Sequence, residues 1–281
     1  MSTANNYDAL VDLLRKTGGV VVAFSGGVDS SLLLAAAHDA LGDRAVGVTA
    51  SSQTYSDDDL FLAGEIAKRM GARHEVIKTR ELEDPRFASN PPDRCYYCKS
   101  ELFRELKKIA EREGFGTVVD GDNMDDLDDD RPGRTAACEL GVRSPFHELK
   151  IGKDEIRAMA KGRGLPNWDL PPHACLASRI PYGVEITTHR LHRIGTAEKA
   201  LDSLGFRQLR VRDHGTLARV EILVQELNGA LQPEVRERIV KACKDAGYTY
   251  VCLDLEGYRT GAMNEVLAQH PKACPAANQV Q

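Results

Sequence analysis

Residues 19 to 31, Gly-Val-Val-Val-Ala-Phe-Ser-Gly-Gly-Val-Asp-Ser-Ser, leave few folds open. The apolar run from 20 to 24 has the length and β-branching of a buried parallel strand. It ends on Ser25, Gly26 and Gly27, where glycine can take positive φ and bring backbone N–H groups close to an anion. Asp29 and Ser30 then open an apolar helical run from 32 to 37. A strand, a glycine turn and a helix N-terminus make an anion site, because unpaired amides and the helix dipole converge there. Phosphate is the natural guest. The loop lacks the Gly-Lys-Ser/Thr ending of the nucleotide-triphosphatase loop and the three spaced glycines of the dinucleotide fingerprint.

The neighbouring pattern extends that unit into a sheet. Residues 7 to 16 have helical spacing and stop at Gly18-Gly19; 45 to 50 and 73 to 77 read as strands, and 60 to 70 as a helix. Alternating strands and helices predict a doubly wound α/β domain with a mostly parallel sheet. In such a sheet ligands bind at the C-terminal strand ends, so Ser52, just past the second strand, faces the same crevice as Ser25. The chain, at 281 residues, is long enough for a second, smaller domain. It has no apolar run of membrane length, and residues 2 to 8 are polar, so the expected location is the cytoplasm with no membrane partner. A net charge of −5 gives no global basic field, which argues against a nucleic-acid partner.

Seven cysteines in a chain with no export signal point to metal or catalytic roles before disulfides. Residues 81 to 98, with Pro85, Asn90, Pro91 and Pro92, read as a loop leading into Arg94-Cys95-Tyr96-Tyr97-Cys98-Lys99. The Cys-x-x-Cys spacing lets both thiolates reach one metal ion; a structural zinc half-site or a redox pair fits the spacing equally well. A helix from 101 to 113 and a strand from 116 to 121 follow. The carboxylates from Asp122 to Asp130 suit either magnesium chelation or a solvated acidic loop. Residues 135 to 141 read as a helix, 144 to 146 as a turn, and 153 to 163 as a helix closed by Gly164.

A second chemical centre lies at 171 to 183, Pro-Pro-His-Ala-Cys-Leu-Ala-Ser-Arg-Ile-Pro-Tyr-Gly. Cys175 flanked by His173 and Arg179 is expected to form a thiolate readily if exposed, and to be inert if buried as a small hydrophobe. The expected domain boundary is near 184, giving domains 1–184 and 185–268 and a disordered tail 269–281. The second domain reads as small and α+β: a helix at 187 to 204, strands at 208 to 212, 217 to 224 and 248 to 253, and a helix at 233 to 246. Arg207, Arg210 and Arg212 cluster near its first strand, the last two on one face, which suits an anionic ligand. Pairing with Arg219 and Glu221 on the next strand is the competing arrangement.

Ser25-Gly-Gly-Val-Asp-Ser resembles the PP-loop of the ATP pyrophosphatases. Together with Arg94-Cys-Tyr-Tyr-Cys-Lys, Cys175-Leu-Ala-Ser-Arg, Leu209-Arg-Val-Arg and Gly257-Tyr-Arg-Thr-Gly-Ala-Met-Asn-Glu, it is similar to the LarE family, sulfur transferases of nickel-pincer nucleotide biosynthesis. The resemblance runs from about residue 7 to 268. It implies ATP with Mg2+ as cofactors, with Ser25, Gly27, Asp29, Ser30 and Ser52 at the nucleotide and Gly121 against the adenine. It implies that a carboxylate of pyridinium-3,5-biscarboxylic acid mononucleotide is adenylated and then becomes a thiocarboxylate. Ser178, Arg179, Arg210, Arg212 and Arg259 would bind that substrate. The sulfur would come from Cys175 as a sacrificial donor, or from a [4Fe–4S] cluster held by Cys95, Cys98 and Cys175. The resemblance further implies a homo-oligomer with acidic metal sites, for which Glu198 and Glu221 are the matching residues. Cys243 and Cys252 are expected in the core. Competing functions are PP-loop tRNA thiolation, an amidating ligase, and a non-enzymatic adenine-nucleotide-binding module.

Overall fold

A computed structural model describes residues 3–128, 132–171 and 174–268. The chain divides into two units: Met1–Ala177 with Gly183–His192, and Ser178–Tyr182 with the residues from Arg193 on. The tail from 269, His173, Asp129 and Asp130 lie outside the described residues.

The first unit grows around three consecutive valines. In chain order its elements are α1 (Thr3–Arg15), β1 (Val20–Ala23), α2 (Val28–Leu41), β2 (Ala45–Ser51), α3 (Asp57–Met70), β3 (Arg73–Lys78), the short α4 (Pro85–Ala88), α5 (Arg94–Glu113), β4 (Thr117–Val119), α6 (Pro132–Glu139), the short α7 (Pro145–Glu148) and α8 (Lys153–Gly162). Val20, Val21 and Val22 all have no solvent exposure, so β1 has both faces covered, the condition in which a parallel strand is stable. The four strands pair in the order β3-β2-β1-β4, all parallel. Leu10, Leu32, Leu33, Phe146 and Ile156 pack with Val20 and Val22 on one face; Leu102, Phe103, Leu106 and Ala136 pack with Val21 on the other. Helices on both faces make the doubly wound fold expected from the alternation. The switch in strand order falls between β1 and β4, the place where open parallel sheets bind ligands beyond the carboxyl ends of their strands.

Two local readings change. The segment at 94 to 98 is the first turn of α5, not the end of a loop. Pro91 and Pro92 stop the preceding chain, the Arg94 N–H donates to the Pro91 carbonyl at 3.0 Å, and the apolar stripe of Phe103, Leu106 and Ala110 continues back through Tyr96. The turn at 144 to 146 opens α7, because Pro145 sits where a helix start tolerates a missing N–H.

The second unit contains α9 (Thr188–Asp202) from Arg193 on, β5 (Leu209–His214), β6 (Leu217–Ile222), α10 (Leu227–Ala230), α11 (Pro233–Asp245), β7 (Tyr250–Leu253) and α12 (Glu265–Ala268). β5 and β6 form an antiparallel hairpin and β7 runs parallel to β6. Leu201, Leu209, Val211, Val220, Ile222, Ile239 and Cys243 form its core. Cys243 is buried and its thiol is pushed up to about 12, chiefly by that burial. Cys252, on β7, is only half-buried. Among the described residues no helix is long and apolar enough to cross a membrane.

Candidate functional site

The loop after β1 is closed by its own side chains. The Ser25 N–H donates to Ser30 Oγ at 3.2 Å, Ser30 Oγ donates to the Gly27 carbonyl at 3.1 Å, and the two hydroxyls lie 3.1 Å apart. The Gly27 N–H faces Ser25 Oγ at 3.3 Å. Gly26 has φ +77°, and a Cβ there would lie 3.0 Å from Ala63 Cα, so only glycine fits between the loop and α3. Gly27 caps α2 with no side-chain hydrogen bond to the first-turn amides. The positive end of the helix is therefore available to an anion.

Asp29, in that first turn, forms an ion pair with Lys153 Nζ and accepts a 3.5 Å contact from Asn123 Nδ2. Lys153 opens α8, and its own N–H donates to Asp125 Oδ2 at 2.6 Å. A Cβ on Gly121 would stand 3.0 Å from Ser30 N and 3.3 Å from Asp29 C. Gly121 thus lets the end of β4 lie against the start of α2. The acidic run is substantially engaged. Asp122 pairs with Arg134 at 3.1 Å and lies 3.5 Å from His147 Nε2, and Asp126 Oδ2 accepts the Asn123 N–H at 3.0 Å.

Ser52 stands at the end of β2, where it donates to Glu81 and lies 2.8 Å from Thr54 Oγ1. Thr54 Oγ1 donates to the same Glu81 Oε1 at 2.7 Å. Glu81 is 2% exposed, and among the described residues its Oε2 has no hydrogen-bond partner.

That carboxylate adjoins the thiols. The Cys98 thiol is pushed well above its ordinary value, first by burial, then by Glu81 and Cys175, with Lys99 opposing. The Tyr55 phenol is raised likewise, first by burial and then by Cys98, Cys175, Glu81 and Cys95. The three cysteines singled out from the sequence therefore share one neighbourhood within the first unit. The Leu176 N–H, next to half-buried Cys175, donates to the Thr54 carbonyl at 2.8 Å and ties that segment to the end of β2. Among the described residues no three His, Cys, Asp or Glu side chains converge as a ready site for one metal ion. The Arg179 guanidinium is held by Glu198.

In the second unit the arginines meet carboxylates. Arg179, 4% exposed, grips Glu198 through Nε at 3.0 Å and Nη2 at 2.9 Å, and its Nη1 donates to Ser178 Oγ at 3.0 Å. Arg212 donates to the Ser178 carbonyl at 3.0 Å and to Glu221 at 2.7 Å; Glu221 also accepts from Arg219 at 3.1 Å. Glu198 and Glu221, matched above to an acidic metal site, are thus committed to guanidinium groups. Arg210 lies with its guanidinium 5.2 Å from the Tyr258 ring centroid. Burial, then nearby Arg179, lowers its pKa, and Glu198 opposes them. Tyr258 is placed by its N–H, which donates to the Ile222 carbonyl at 2.7 Å; a Cβ on Gly257 would come 2.7 Å from that oxygen. Arg259 is partnered by Glu256 and Glu265 at 3.1 and 2.9 Å.

Residues of these sites that were not singled out from the sequence include Tyr55, Glu81, Asn123 and Lys153. Lys153 did leave a signal, since a cation in the first turn of a helix opposes the helix dipole unless an anion holds it. The others left none.

Comparison with known proteins follows the same lines. The NAD synthase family model matches residues 4–88. An uncharacterized protein of Synechocystis sp. is 44% identical over 249 residues, 89% of this chain and 93% of the relative. The pyridinium-3,5-bisthiocarboxylic acid mononucleotide synthase of Lactiplantibacillus plantarum is 37% identical over 267 residues, 95% of this chain and 96% of the relative. A tRNA-specific 2-thiouridylase of Xanthobacter autotrophicus is 30% identical over 192 residues, 54% of this chain and 49% of the relative.

Proposed function

Because the chain belongs to the LarE family of PP-loop proteins, we propose that it is an ATP-dependent sulfur transferase acting on pyridinium-3,5-biscarboxylic acid mononucleotide. It adenylates one carboxylate, releases pyrophosphate, and replaces AMP with sulfur to leave a thiocarboxylate. The observation that carries this reading is an uncapped helix N-terminus with Asp29 and Lys153, in the same unit as a three-thiol neighbourhood. Activation explains the first feature and sulfur delivery the second.

A carboxylate is a poor electrophile and becomes a good one once AMP is its leaving group. The substrate carboxylate oxygen attacks the α-phosphorus, and the bond to the pyrophosphate oxygen breaks. Ser25, Gly27 and Ser30 hold the departing pyrophosphate against the amides of α2, with Lys153 neutralising its charge. Asp29 is placed to hold Mg2+, a hard cation that needs only one or two carboxylates beside phosphate. Gly121 and Ser52 follow β4 and β2, the strands on either side of β1.

For sulfur, Cys95, Cys98 and Cys175 are the thiolates that would hold a [4Fe–4S] cluster, which would supply an exchangeable sulfur atom, once brought together beyond the arrangement seen among the described residues. Their shared neighbourhood supports this over a purely sacrificial Cys175, which gives Cys95 and Cys98 no task. In the sacrificial route the Cys175 thiolate attacks the acyl carbon and AMP leaves; loss of the Cα proton then breaks the Cβ–S bond, leaving thiocarboxylate and dehydroalanine. In either route Cys175→Ala binds ATP and yields no thiocarboxylate by mass spectrometry. Iron and sulfide analysis after anaerobic purification separates the routes. An iron-free protein that transfers one sulfur per chain and loses the mass of hydrogen sulfide at Cys175 overturns the cluster.

Residues 1–184 activate the carboxylate in this reading, and 185–268 bind the substrate and a neighbouring subunit of a homo-oligomer. Arg210 faces the substrate phosphate, supported by Ser178, Arg179 and Arg212, while Arg259 serves the substrate or the subunit contact. The enzyme works in the cytoplasm on a free nucleotide. Against tRNA stand the net charge of −5 and a thiouridylase match covering about half of either chain. Pyrophosphate release that depends on tRNA and not on the pyridinium nucleotide would reverse that choice.

A further inference from the structure

The Gly26–Gly27 peptide is the most easily reoriented part of the phosphate loop, because neither residue has a side chain to fix it. One residue holds it from outside. Asn167, 1% exposed in the turn after α8, donates through Nδ2 to the Gly26 carbonyl at 2.7 Å and to Ser31 Oγ at 2.9 Å. Asn167 and Gly26 are 141 residues apart in the chain. On another side, α3 blocks the loop at Ala63.

In a trans peptide the C=O and the next N–H point in opposite directions. Holding the Gly26 oxygen toward Asn167 therefore turns the Gly27 N–H the other way, to the side of Ser25 Oγ and the uncapped start of α2. A flipped peptide would instead present a carbonyl oxygen there, a partial negative charge in a site built for an anion. The choice of asparagine follows from the acceptor. A backbone carbonyl can only accept, so the residue opposite must donate; aspartate of the same shape would repel it. Among the described residues the buried Asn167 Oδ1 has no hydrogen-bond partner, and Nδ2 makes the contacts that orient the amide.

We propose that Asn167 is a positioning residue for the pyrophosphate end of ATP, locking the Gly26–Gly27 peptide with its N–H toward the phosphates. This rests on the reading of the loop as a pyrophosphate cradle. It selects for triphosphate over monophosphate, because AMP leaves that part of the cradle unused.

Isothermal titration of the full chain with AMP and with Mg2+ and α,β-methylene-ATP tests it, using the wild type, Asn167→Ala, Asn167→Asp and Ser31→Ala. The expected result is that both Asn167 variants lose roughly tenfold or more in affinity for the triphosphate analogue, while AMP changes by less than about twofold. Ser31→Ala, which removes the other Nδ2 contact and leaves the Gly26 carbonyl bonded, keeps the wild-type preference. Asn167→Ala with an unchanged preference, or with equal losses for both ligands, overturns the proposal; that variant decides alone if the aspartate form does not fold. A wild type that binds the analogue no tighter than AMP would instead bring down the cradle reading beneath it.

Discussion

The two units hold their charged groups in opposite constructions. In the first, the phosphate loop relies on backbone amides and a helix end, with a single ion pair, Asp29 to Lys153, both side chains partly exposed. In the second, Arg179, Arg210, Arg212 and Arg219 are set among Glu198, Glu221 and Asp254, a surplus of one positive charge. Fixed dipoles can receive an ion without first losing a partner. Buried guanidinium groups that already grip carboxylates cannot, so their charge serves the fold first and a ligand second.

If that contrast is right, the largest effect comes from the second unit. Glu221→Gln strands Arg212 and Arg219 near a carboxamide, and the stability of that unit should fall by about 3–5 kcal/mol, the cost of breaking a buried pair from one side. Urea unfolding measures it; a loss below 1 kcal/mol, on the order expected of a surface pair, would erase the contrast. In the first unit the comparable change, Lys153→Met, should barely move the unfolding midpoint. Its effect appears in ATP half-saturation, which rises roughly ten- to hundredfold, the worth of one charge-assisted bond. A smaller effect sharpens the role of Arg210. Tyr258→Leu removes the ring beneath its guanidinium and should raise the substrate KM by a few-fold, about 0.5–1 kcal/mol, with kcat unchanged, while Tyr258→Phe restores the wild-type value.

The smallest effect concerns pH. Burial lowers the pKa of His74 in the first unit, where it lies 2.7 Å from Thr49 Oγ1; burial and then Arg219 lower that of His214 in the second. The unfolded chain therefore takes up protons first as pH falls through the ordinary imidazole range near 6.5, so folding stability present above that range declines below it. Substituting His74 by Gln should flatten the decline in the first unit. Stability that rose on acidification would contradict both assignments.

What could be read in advance followed from how local each feature is. The strand, glycine turn and helix start at 20 to 31 encode their geometry in adjacent residues, and the alternation around them predicted the parallel sheet. The hydrophobic period also continued through Tyr96, but four helix-breaking or turn-forming residues just before it made 94 to 98 look like loop. Lys153 and Asn123 reach Asp29 across 124 and 94 residues, and no pattern in a single chain links positions so distant. Glu81 lies closer to its partners, 29 residues from Ser52, yet a glutamate in the acidic run 81–84 after β3 looks like a surface group until burial is known. The arginine strand was legible as a cluster and as a possible partner of Glu221. How each member is surrounded depended on three-dimensional neighbours, Tyr258 and Arg179 for Arg210 in particular.

The bond between Lys153 and Asp29 bears on what the loop ignores. Cells hold much free orthophosphate, and an unguarded lysine above a helix end would retain it. Here an incoming anion must take Lys153 away from a carboxylate 124 residues distant in the chain. A small anion brings too few contacts to compensate for that exchange, whereas a magnesium-bound triphosphate can satisfy both side chains at once. On the proposed reading of the loop, the pair is expected to act as a latch that opens to metal and nucleotide together, keeping the entrance clear of the commonest phosphate in solution.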